Sequence, residues 1–248
     1  MPPEHAQIDD PEWARFLALA SVPLRAMTTE MQPASSASGT LVEFCGRQVL
    51  LTASHIVKEH REWVIEIRFD EHEGQTQTYA VAGFHVLKRI SVGTDEIDFA
   101  FAILKDRVTP MLQQLVERPR SAHVLQECER LTLVSDLRET PIVGRSYGFS
   151  GQVTAPESGG FWIEGETQTE PHMVFDRADE TRYVFRLTHE HPGDRFYKGC
   201  SGAPICDADG TLVSVVLGGD PSTREIYGAP LARYRSTIEE ALRIGQSS

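Results

Sequence analysis

Tyr197-Lys-Gly-Cys-Ser-Gly-Ala-Pro204 is the stretch against which the rest of the chain is read. A nucleophilic serine needs a tight turn around it. Its hydroxyl must project clear of the backbone, and nearby N–H groups must converge where a substrate carbonyl becomes an oxyanion. Gly199 and Gly202, on either side of Ser201, supply the conformational freedom such a turn requires. Pro204 stiffens the exit. Ile205-Cys206 and Thr211-Leu-Val-Ser-Val-Val-Leu217 read as two buried strands joined by a turn at Asp207-Ala-Asp-Gly210. Taken alone, the string fits an ordinary serine in a Gly/Pro-bounded β-turn equally well.

Two further stretches bear on the choice. Val49-Leu-Leu-Thr-Ala-Ser-His55-Ile-Val57 is a strand running into a short turn that presents a histidine. Ile97-Asp98-Phe-Ala-Phe-Ala-Ile-Leu104 opens an apolar strand with an aspartate. The order His, Asp, Ser is one of those in which the acyl-transfer triad occurs. Thr52-Ala-Ser-His55, Asp98-Phe-Ala-Phe-Ala102 and Gly199-Cys-Ser-Gly-Ala-Pro204 resemble the T-A-A-H, D-[IV]-A-L and G-[DN]-S-G-G-P motifs of the chymotrypsin/trypsin-like serine peptidases, particularly their bacterial, disulfide-free members. The similarity extends over most of the chain, from residue 36 to residue 240.

The resemblance implies an all-β fold of two six-stranded antiparallel β-barrels. It also implies a serine endopeptidase that hydrolyses peptide bonds in a protein substrate through an acyl-enzyme. Ser201 would be the nucleophile, His55 the general base and then acid, and Asp98 the group that fixes the imidazole. The N–H groups of Gly199 and Ser201 would form the oxyanion hole. Asp95 competes with Asp98, which is preferred because the apolar strand begins directly after it.

Arg195, six residues before the nucleophile, takes the place of the residue on the floor of the family's S1 pocket. There it would favour an acidic P1 residue; alternatively it is a solvated loop residue or pairs with Asp194. Leu217-Gly218-Gly219 matches the family's S-W-G wall, where Gly218 could pair with substrate backbone. Cys200 stands where zymogen-activated relatives carry the aspartate that pairs with a newly cut N-terminus, so no such processing is expected. The thiol is either a small buried filler or, with a depressed pKa, a nucleophile or redox switch.

The 248 residues have room for two barrels of about a hundred residues each. Residues 1–35 read as an N-terminal extension, with a short helix starting at Asp10-Pro11-Glu12. Residues 36–120 are assigned to the first barrel, with His55 and Asp98, and 121–248 to the second, with Ser201. In the first, Thr40–Phe44 and Gln48–Thr52 read as a hairpin, followed by strands at Glu62–Phe69, Thr78–Val92 and Phe99–Leu104. Val108–Ser121, with two prolines and no strand pattern, reads as the linker. Leu131–Val134, Ile142–Phe149, Gly160–Glu164 and Tyr183–Leu187 are the further strands of the second. Leu231–Ile244 is an amphipathic C-terminal helix with Leu231, Ile238, Leu242 and Ile244 on its apolar side.

Charge and cysteine usage narrow the function classes. A formal charge of −12, with no basic stripe, argues against nucleic-acid binding. No apolar run approaches membrane-spanning length, and the N-terminus lacks the basic start and apolar core of a signal peptide. The four cysteines, 45, 128, 200 and 206, show neither a C-x-x-C pair nor metal spacing. A cytoplasmic, cofactor-independent enzyme with reduced thiols is therefore expected. The alternative, of a different class, is a catalytically idle fold of this type that binds a peptide or partner. On either reading the two ends of the chain could dock a regulatory protein.

Overall fold

A computed structural model describes residues 11–30, 32–60, 62–70, 72–87, 97–118, 122–153 and 167–246. Helix α1 (Pro11–Ala20) runs directly into strand β1 (Ser21–Met27). Proline suits the first helical position because the N–H it lacks would have had no helical partner there; the expected cap, Asp10, lies outside the described residues. Strands β2 (Pro33–Phe44) and β3 (Arg47–Thr52) form the expected hairpin. It turns on Cys45 and Gly46, both at positive φ (50° and 74°), as a two-residue hairpin loop demands. Helix α2 (Ser54–Glu59), β4 (Glu62–Asp70), β5 (Gln75–Val81), β6 (His85–Val86) and β7 (Ala100–Ile103) follow. Next, β8 (Met111–Arg118) and β9 (Ala122–Glu129) form a two-stranded ribbon, and β10 (Leu133–Val134) returns to lie parallel to β2.

The first unit is thus an eight-stranded sheet in the order β5-β4-β1-β2-β3-β7-β6, with β10 added against β2. In the second, β11 (Ser146–Gln152), β12 (Thr167–Ala178), β13 (Tyr183–Leu187), β14 (Pro204–Asp207), β15 (Leu212–Asp220) and β16 (Glu225–Gly228) close into a six-stranded barrel. Helix α3 (Asp194–Tyr197) precedes the Gly199–Gly202 turn, and α4 (Leu231–Gln246) ends the described chain.

The fold class is the expected one: mostly β, with a C-terminal helix. Several details differ. Residues 21–27, placed in the N-terminal extension, form β1, which is buried at every position and sits between β2 and β4. Its one charge, Arg25, is paired with Glu66 on β4. This added strand and β10 raise the first sheet above the expected six. Leu133-Val134, assigned to the second barrel, pairs instead with Val42-Glu43 because Leu133 completes the core beside β2. The expected linker contains β8. The strand expected at Gly160–Glu164 lies outside the described residues.

The two units share one core. Leu17 of α1, Val49 and Leu51 of the first sheet, Phe99 just before β7, and Cys206 and Val215 of the barrel pack together with Leu231, Tyr234, Ile238 and Leu242 of α4. Those α4 positions recur every three or four residues, one face of a helix. Tyr234 stacks on Phe99 with ring centroids 5.0 Å apart, whereas Ile244, expected on this face, is exposed. Arg130 is buried and donates to the carbonyls of Ala18 (2.7 Å), Ser21 (2.6 Å) and Met111 (3.3 Å). Burial lowers its pKa to about 10, so it stays charged at neutral pH and straps the α1–β1 corner to the ribbon.

Helix α1 belongs to this core. Leu17 is fully buried, and its Cδ1 lies 2.7 Å from where a Cβ on Gly148 of β11 would stand. Leu17→Ala is expected to lower the unfolding free energy by about 2–4 kcal/mol in a urea titration. A loss below about 0.5 kcal/mol would mean that α1 is a loose extension.

Candidate active site

The register of β3 against β7, with Thr52 opposite Ala100, sets the first half of the site. It places the start of α2 beside the residue that precedes β7. His55 Nδ1 lies 2.7 Å from Asp98 Oδ2, the His55 backbone N–H donates to Asp98 Oδ1 (2.8 Å), and the Ser54 hydroxyl donates to the same oxygen (3.0 Å). A carboxylate at Nδ1 holds the proton there and leaves Nε2 as the basic nitrogen. Burial pushes the Asp98 carboxyl up, but the His55 side chain, the His55 N–H and the Ser54 hydroxyl together outweigh it, leaving its pKa below the ordinary value. Asp95, the competing aspartate, lies outside the described residues.

The second half is the turn between α3 and β14. Gly199 and Gly202 have φ of 101° and 91°, a region that favours glycine. A Cβ on Gly202 would stand 2.1 Å from the Ser38 carbonyl oxygen and 2.3 Å from Thr52 Oγ1, so no larger residue fits. The turn is pinned by backbone bonds: Cys200 N–H to Tyr197 O, Gly202 N–H to Val216 O, and Ala203 N–H to Cys200 O. Hydroxyls and an N–H from β2 take three carbonyls. Ser38 Oγ donates to Gly199 O, Ser38 N–H to Ser201 O, and Thr40 Oγ1 to Gly202 O. The Gly199 and Ser201 N–H groups have no hydrogen-bond partner among the described residues.

His55 and Ser201 line the same cavity, of about 220 Å³, together with Phe149, His191, Tyr197, Val216, Leu217, Gly218, Gly219 and Ile226. No hydrogen bond joins Ser201 to His55: the serine hydroxyl donates to Leu217 O at 3.4 Å. Leu217, Gly218 and Gly219 line the cavity. Arg195 does not line it. Residues 195 and 197 are about 200° apart around a helix, so α3 turns Tyr197 inward and leaves Arg195 exposed.

Glu170 and the Ser54 hydroxyl were not singled out from sequence. The Tyr197 hydroxyl donates to Glu170 Oε2 (2.9 Å), and its ring packs edge-on against Phe149 and His191. Burial raises the pKa of Glu170, and that of Tyr197 is raised by burial and by the Glu170 charge. Ser54 differs from the alanine of T-A-A-H, which was the available signal for its hydroxyl on Asp98. Cys200 is fully buried against Gly151, and burial pushes its thiol up to about 12. The thiolate that a nucleophile or redox switch requires is therefore absent at neutral pH, and Cys200 is a filler. Among the described residues, no group of His, Cys, Asp and Glu is arranged to hold a metal ion. No helix there is long and apolar enough to cross a membrane.

No protein-family model and no curated protein matches the sequence. Solved structures do match by shape. A serine endoprotease from Yersinia pestis superposes with a TM-score of 0.55 at 12% identity, over 94% of this chain and 66% of that one, just under two thirds of its length. The human heparin binding protein gives 0.55 at 11% identity over 91% and 92% of the two chains. HL collagenase gives 0.54 at 14% over 92% and 94%. The chain therefore has the chymotrypsin-like fold.

The lowered pKa of Asp98 has a consequence for stability. A carboxylate whose folded pKa is depressed stabilises the fold above its unfolded value, 3.8 here, and loses that contribution as pH falls through the folded value. The stability gap between wild type and Asp98→Asn should be full at about pH 6 and shrink only below about pH 4. A gap that is constant throughout that range would show that Asp98 is not held ionised by its neighbours.

Proposed function

We propose that the chain is a serine endopeptidase that cleaves protein or peptide substrates through an acyl-enzyme. The observation that carries this reading is the single cavity lined by Ser201 and by a histidine whose Nδ1 is bound to a carboxylate. Once substrate displaces the Ser201 hydroxyl from Leu217, Oγ gives its proton to His55 Nε2 and attacks the carbonyl carbon. The Gly199 and Ser201 N–H groups receive the oxyanion. His55 then protonates the departing amine, the C–N bond breaks, and water repeats the sequence on the ester. Asp98 stays ionised throughout. Such preorganised donors are worth roughly 3–4 kcal/mol of transition-state stabilisation each. No N-terminal cleavage enters this scheme, because a cut between residues 20 and 40 would release β1 or split β2.

The cavity also suggests the substrate. Phe149, Val216, Ile226 and the Tyr197 ring line it beside His191 and the Gly218-Gly219 backbone, and no Lys or Arg does. The acidic P1 preference that Arg195 would give is not carried forward. With no cation to pair with a carboxylate, a neutral P1 residue that packs on these rings suits the walls better than an acidic one. A peptide library should show this preference. Arg195→Glu should leave it unchanged, and dominant cleavage after Asp or Glu would contradict it.

The resting position of the Ser201 hydroxyl, on Leu217 instead of His55, favours a second reading. In it the cleft binds an extended peptide without cutting it, and one structural neighbour is named for binding heparin. Labelling with a fluorophosphonate separates the two. The peptidase reading expects covalent modification of Ser201 that is lost in Ser201→Ala and in His55→Ala. An unlabelled wild type supports the binding module, and loss of labelling in Cys200→Ser alone would overturn the serine assignment.

A further inference from the structure

We propose that Ser38, on β2 of the first sheet, is a positioning residue for the oxyanion hole in the opposite unit; this rests on the peptidase reading above. Ser38 is fully buried, and all of its polar groups are engaged. Its N–H donates to Ser201 O (3.1 Å), its Oγ donates to Gly199 O (2.8 Å) and accepts from Gln152 N–H (2.8 Å), and its carbonyl accepts from Thr52 Oγ1 (3.0 Å).

Gly199 is the residue on which an oxyanion hole of this design is most vulnerable. At φ 101° and without a Cβ, its own conformational preferences leave the adjoining peptides free to rotate. Oxyanion donors act only if they are aimed before the charge develops. The Ser38 hydroxyl holds the Gly199 carbonyl, and the N–H of the same serine holds that of Ser201, which fixes the backbone on the C-terminal side of each donor residue. The carbonyls of both oxyanion-hole residues are thus fixed by one side chain and its own backbone. Thr52 extends the link, since it bonds Ser38 and lies three residues before His55. Ser38 therefore sets the distance between the base, carried by the sheet, and the oxyanion donors, carried by the barrel.

The test compares Ser38→Ala with Ser214→Ala, which removes another fully buried hydroxyl, bonded to Ala229 O inside the barrel (2.7 Å). For Ser38→Ala, kcat should fall by about 10- to 100-fold with KM within about threefold of wild type. Affinity for a peptide boronic acid, which mimics the tetrahedral adduct, should fall in parallel. Ser38→Cys, similar in size but a weak donor, should fall in between. A kcat no lower than that of Ser214→Ala, or a change confined to KM, would overturn the proposal.

A second arm does not depend on turnover. The ¹⁵N-labelled full chain should show one sharp Gly199 amide resonance that broadens or doubles in Ser38→Ala. An unchanged resonance would overturn the positioning role. Should wild type fail to label with a fluorophosphonate, the peptidase reading falls, and the Gly199 resonance still decides whether Ser38 holds that peptide.

Discussion

The structure depends on how closely two units approach at Gly202. Its α-carbon faces the Ser38 carbonyl and the Thr52 hydroxyl at distances that leave room for hydrogen alone. That contact brings the end of β3, and with it His55, against the turn that carries Ser201. A single methyl there would force the sheet and the barrel apart, and the nucleophile would no longer share a cavity with the histidine. The shared core and the outer helices act on the same boundary. Helix α1 is the first described element yet packs on the barrel, and α4 is the last yet reaches back to Phe99 in the loop before β7. Each half is thus fastened by an element from the other end of the sequence.

Polar groups at this boundary are buried only where they are satisfied, as the low dielectric requires. Ser38, Thr40 and Thr52 all lie below the surface, and each hydroxyl has a backbone carbonyl to bond. Glu170 is the costlier case. It is an acidic side chain behind the cavity wall, and its pKa is raised by burial. The Tyr197 hydroxyl and the His172 N–H, together with His189 at 3.3 Å, offset that cost. In return, the aromatic wall of the pocket is held from behind by a fixed anchor.

Motifs were legible where chemistry restricts the residue type. The turn around Ser201, the strand into His55 and the aspartate before β7 each need particular residues at particular steps, and the fold brings them to one place. The hairpin of β2 and β3 could be expected from its two apolar runs and from the loop chemistry at Cys45-Gly46. Elements whose signal is diluted were missed. β12 reads Thr-Gln-Thr-Glu-Pro-His-Met-Val-Phe-Asp-Arg-Ala, with a proline and four ionisable side chains, because much of it is only half-buried. Glu170 was hidden with it. β1 was taken for part of an extension since Pro23 and Arg25 interrupt it; the arginine is accommodated only because Glu66 faces it across the sheet. For Arg195 the count back from the nucleophile left the pocket floor and a solvated position both open, because it locates a residue in the chain but not on a face of α3.

Ser201, with His55 and Asp98, is proposed to form a covalent acyl intermediate. Mixing the full chain with an activated p-nitrophenyl ester and mapping the acylated peptide by mass spectrometry tests it most directly. The expected result is a burst of nitrophenol with the acyl group on the peptide that contains Ser201, and neither in His55→Ala. No adduct, or one on another residue that persists without His55, would contradict it.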